Sequence, residues 1–98
     1  MARFTNQFLR ELKSALIESR HAKLAADVDG MVIHSYVQGR RPLHQFIYVA
    51  DKSSLPTGTM QELILRVPGL FCVFVHNGRI AAIEALGRDV LDPAADNE

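Results

Sequence analysis

The chain has 98 residues, enough for one domain with a modest core. Eleven basic and eleven acidic residues give zero net charge, which excludes a strongly basic nucleic-acid coat protein and an acidic nucleic-acid mimic alike. The single Cys72 excludes an intramolecular disulfide and fits a reducing compartment, and no apolar run reaches the roughly 20 residues that span a bilayer.

The opening residues MARFTNQF lack the apolar stretch of a secretory leader, so a cytoplasmic protein is expected. Residues 1–4 and 89–98 are expected to be flexible termini of a single domain. Phe8, Leu9, Leu12, Ala15 and Leu16 fall on one face at helical spacing and predict a helix over 5–20, with Thr5 or Asn6 as its cap. Residues 23–26 either extend that helix or form a short strand. Asp-Gly makes 27–30 a turn. The stretches 31–38 and 43–50 are β-branched and aromatic, and with GRRP between them they predict an antiparallel hairpin.

A second helix is expected over 60–67, capped by Thr57 or Thr59 and carrying Leu63, Ile64 and Val67. Pro68 and Gly69 stop it. LFCVFV, residues 70–75, suits a strand buried on both faces. Asn77-Gly78 is a turn. The segment 79–86 reads as the return strand of a hairpin by its position and as a helix by its Ala, Glu and Leu content; composition tips the reading to helix. The order α-β-β-α-β-(α or β) predicts a small α+β domain around one mixed sheet with a hairpin and flanking helices.

Pairing the hairpin about Arg40 and Arg41 sets Asp29 opposite Lys52 and Met31 opposite Ala50. Ala50 and Lys52 then share a face, and Asp51 points the other way. A carboxylate and an ammonium at the open end of a hairpin suit a site in which Asp29 holds Mg²⁺ (or Mn²⁺) and Lys52 polarises a water.

The layout of Asp29, then Ala50-Asp51-Lys52, then a helix with Gln61 and a further strand, resembles the PD-(D/E)XK nuclease family and its small VRR-NUC type. The resemblance spans about residues 27–86. It implies a metal-dependent nuclease or nucleic-acid-binding domain, with Asp29 and Asp51 toward the metal and Lys52 and Gln61 as catalytic residues. Ala50 stands where the family has a metal-binding acid, which implies an impaired or inactive enzyme. Either the acid was replaced, or the domain is a natural pseudo-nuclease, or Asp51 serves in its place.

Arg40 and Arg41 are candidate phosphate contacts on branched or duplex DNA. Cys72, inside an apolar run, reads as an inert buried thiol. The competing reading is a non-catalytic protein-interaction module: a dimeric adaptor, an immunity protein or a phage-borne inhibitor. Zero net charge and edge strands favour a homodimer or another protein partner.

Overall fold

The computed structural model describes residues 2–56, 58 and 60–92. Its first strand, β1 (Arg3–Phe4), pairs antiparallel with its last, β7 (Leu91–Asp92), so parts of both stretches expected to be flexible meet in a two-stranded sheet. Helix α1 (Asn6–Glu18) follows, and the Thr5 hydroxyl accepts from the Phe8 backbone N–H at 3.2 Å as its cap. Phe8, Leu12 and Leu16 form its buried stripe.

Ser19 ends α1. The Arg20 N–H donates to Ile17 C=O and the His21 N–H to Leu16 C=O, with Arg20 left-handed at φ 66°, and these two bonds reverse the chain. Residues 23–26 therefore neither extend α1 nor form a strand. They lie in a separate helix, α2 (Ala22–Val28), that buries Leu24, Ala25 and Val28. Asp27 belongs to this helix and Asp29 closes it in a right-handed helical conformation, so the Asp-Gly signal marks a helix end.

Strand β2 (Ser35–Gln38) pairs antiparallel with β3 (Gln45–Tyr48). Ser35 faces Tyr48 and Gln38 faces Gln45, a register two residues away from the one centred on Arg40 and Arg41. The connection is longer than GRRP because Leu43 adopts φ 56° and His44 C=O accepts from Gly39 N–H. After β3 the chain makes one 3-10 turn, Lys52–Ser54.

The helix expected over 60–67 is absent; strand β4 (Gln61–Leu63) stands there instead. Thr57 and Thr59, its expected caps, lie outside the described residues. Strands β5 (Leu70–His76) and β6 (Arg79–Ala85) form a hairpin, so the segment tipped toward helix by composition is a strand. Asn77 at φ 53° and Gly78 at φ 73° supply the two positive φ values of a two-residue hairpin turn, which fixes the chain reversal more firmly than alanine propensity opposes it.

The five-stranded sheet has the order β2-β3-β6-β5-β4 and is antiparallel at every pairing, where a mixed sheet was expected. The α+β class is as expected. Both helices share one core with the sheet: Phe8, Leu12, Leu16, Leu24 and Val28 pack with Ile47, Val73 and Ile83. Alternation along the strands turns Phe46, Tyr48, Phe74, Cys72 and Glu84 to the other face. Among the described residues no helix is long and apolar enough to cross a membrane.

Candidate functional site

Asp29 sits on the helical side of the sheet. Its carboxylate accepts from Lys13 Nζ of α1 at 2.6 Å, an exposed ion pair that ties the end of α2 to α1. Lys52 opens the 3-10 turn, and its ammonium lies 5.2 Å from the centroid of the Tyr48 ring, toward the opposite face. The expected pairing of Asp29 with Lys52 is therefore not made. It required a strand running back to Asp29 in a register that the hairpin does not use.

Asp51 caps the 3-10 turn, with Oδ1 accepting from the Ser53 hydroxyl at 2.8 Å and the Ser53 N–H at 3.0 Å. Those two bonds hold its carboxyl below the ordinary value. Gln61 is exposed on β4, at one edge of the sheet. Ala50 donates its N–H to Ala81 C=O on β6. From Ala50, just past the end of β3, to Gln61 on β4 the sheet crosses β6 and β5, three strand spacings or about 14 Å in all. Arg40 and Arg41 are exposed in the β2–β3 connection. Among the described residues no three His, Cys, Asp or Glu side chains are grouped to hold a metal ion.

Ala50 does line a cleft of about 520 Å³ between α2, the segment after β3 and the β5–β6 turn. Met31, Val49 and Ile80 form its apolar wall, while Asp27, His76 and Arg79 stand on its polar side. Its size is ordinary for a small-ligand pocket. Asp29, Lys52 and Gln61 do not line it.

The face away from the helices carries a second polar group. His44 Nε2 lies 2.8 Å from Glu84 Oε2, and the Cys72 thiol lies 3.9 Å from Glu84 Oε1. The Cys72 thiol is pushed up to about 11, first by burial and then by the negative charges of Glu84 and Glu62. A thiol so placed is a poor nucleophile at neutral pH.

The sheet's edges are the third feature. Beyond β4 the chain stays alternating: Leu65 and Val67 are buried, while Glu62, Ile64 and Arg66 are exposed. Ile64 is 73% exposed, the most of any large apolar side chain described. Sequence reasoning passed over these residues by assigning them to a helix. The alternation of Leu63, Leu65 and Val67 with Glu62, Ile64 and Arg66 was the signal available.

No known protein family, curated protein or solved structure matches the chain.

Proposed function

We propose that the chain is a non-catalytic, cytoplasmic protein-interaction module that takes a partner strand along the open edge of β4. The observation that carries this reading is the exposed row of Glu62 on the edge strand β4 and Ile64 and Arg66 just beyond it. An edge strand offers unpaired N–H and C=O groups to a second chain, and natural proteins commonly block such an edge where association is unwanted. Here the row is centred on an isoleucine. Strand addition gives affinity through the main chain and selectivity through alternate side chains.

Of the positions in the nuclease resemblance, Asp29 lies on the helical side of the sheet, Lys52 toward the other side and Gln61 on an edge strand, and this favours binding over phosphodiester chemistry. Amide hydrogen exchange tests the reading. The tagged chain and its Ile64→Lys variant are used to capture a partner, and exchange is measured in the complex. Protection is expected at residues 61–66, with capture lost in the variant. Protection confined to the cleft or to Arg40 and Arg41, with residues 61–66 unchanged, overturns it.

A further inference from the structure

We infer that the strand accepted at β4 is the same segment of a second copy, β4 and the residues just after it, paired antiparallel about a two-fold axis through Ile64. This rests on the interaction-module reading and names its partner. Five residues decide the register. With Ile64 opposite Ile64 of the second copy, Glu62 of each chain faces Arg66 of the other, and Leu63 faces Leu65. The row is thus self-complementary: an apolar centre flanked by two opposite-charge pairs. Within one copy neither Glu62 nor Arg66 forms an ion pair or side-chain hydrogen bond among the described residues, so both charges are available.

Neighbouring registers are worse. Centring on Leu63 sets Glu62 against Ile64 and leaves both charges without a partner. Centring between Leu63 and Ile64 sets a core-facing residue against an outward one, which turns one copy over. The Ile64 register keeps like faces together, because residues opposite each other share a face. The helices of both copies then lie on one side of a ten-stranded sheet, and the faces carrying Phe46, Tyr48 and Phe74 join on the other. Val67 N–H donates to Leu65 C=O at 3.1 Å, a tight turn centred on Arg66 that ends the extended run, so main-chain pairing is confined to about three residues a side, and Arg66 meets Glu62 of the other copy through its long side chain. Such an edge covers less than the roughly 800 Å² per partner of a standard interface, so the dimer is weak. Zero net charge puts no long-range repulsion between copies.

Sedimentation equilibrium of the whole chain, up to about 500 μM in low salt, tests this. A monomer–dimer equilibrium is expected. Ile64→Lys, at an exposed position that does not endanger folding, weakens it by about tenfold or more. Glu62→Arg and Arg66→Glu each weaken it by about threefold, and the double swap restores it. The register is read by cross-linking in a Cys72→Ala background. Oxidised Ile64→Cys chains join to themselves, and Glu62→Cys chains join to Arg66→Cys chains in preference to their own kind.

A chain that stays monomeric throughout, while a captured partner still protects residues 61–66, overturns the second copy and leaves the interaction module standing. A dimer indifferent to Ile64→Lys and to the charge swap, with protection elsewhere, overturns both.

Discussion

Two side chains on opposite faces of the sheet have chemistry set by burial. Cys72 is 1% exposed, and with Glu84 and Glu62 nearby its thiol is held at about 11. At pH 8 the thiolate fraction in the folded chain is then about two orders of magnitude below that of an ordinary thiol. Iodoacetamide labelling of the native protein at pH 8 should be slower than labelling in urea by at least that factor. Glu84→Gln removes one negative charge, lowers the thiol and speeds native labelling, without bringing it to the unfolded rate because burial remains the larger cause. Equal rates for native and unfolded wild-type chains would contradict the placement. On the other face, Gln45 is buried beside Ala85, and its Oε1 has no hydrogen-bond partner among the described residues. An unpaired buried amide oxygen costs about 1–3 kcal/mol. Gln45→Met keeps the shape and removes the polar atom, so urea unfolding should show a gain of about 1 kcal/mol.

At the scale of elements, Arg88 fastens α1 to the turn before β5. Its guanidinium donates to Glu11 Oε2 at 2.5 Å and to Pro68 C=O at 3.0 Å, and lies 5.8 Å from the centroid of the Phe8 ring. Gly69, at φ 78°, is needed in that turn: a Cβ there would sit 2.2 Å from the Arg88 Cβ. Arg88 holds the Glu11 carboxyl below its usual 4.5. A carboxyl lowered on folding stabilises above its unfolded value, and that contribution is lost as pH falls through the folded value. Arg88→Met keeps the stem over Phe8 and removes the pair. The variant should be less stable than wild type at pH 7, and the gap in urea midpoints should narrow below the usual carboxylate range to what the pH-independent bond to Pro68 contributes. A gap that stays constant to pH 3 would mean that the ion pair contributes nothing.

The same scale shows how much of the fold can be read from the residues. Helix α1, its Thr5 cap, the Asn-Gly turn and the apolar strand from Leu70 carry local signals strong enough to survive tertiary context. Residues 61–67 do not, because Leu63, Ile64 and Val67 satisfy a helical spacing while Leu63, Leu65 and Val67 satisfy a strand. Pairing with the apolar β5 decides between them, and that is a long-range fact. Arg79–Ala85 follows the same logic: Ala81, Ala82 and Ala85 favour a helix alone, yet their small side chains are buried in a strand paired on both sides. The proposed acid-and-lysine pair failed on register. Leu43 in a left-handed conformation lengthens the hairpin connection, and nothing in GRRPLH announces it.

For the molecule as a whole, the sheet is a partition. One face meets both helices through Ile47, Val73 and Ile83; the other carries Phe46, Tyr48 and Phe74 in half-buried positions. Asp29 belongs to the helical side through Lys13, and Lys52 reaches toward the other side over Tyr48. Gln61 lies at the far edge. Restoring one acid cannot gather groups that the partition separates, since Mg²⁺ needs several oxygen ligands at about 2.1 Å in near-octahedral array. Ala50→Glu, assayed with Mg²⁺ or Mn²⁺ on branched, duplex and single-stranded DNA, should cleave none of them. The new carboxylate would instead join the lining of the cleft that Met31, Val49 and Arg79 share. Cleavage by the variant that disappears when Lys52→Ala is added would show that Lys52 turns into the cleft in solution, and would restore the nuclease reading over the interaction module.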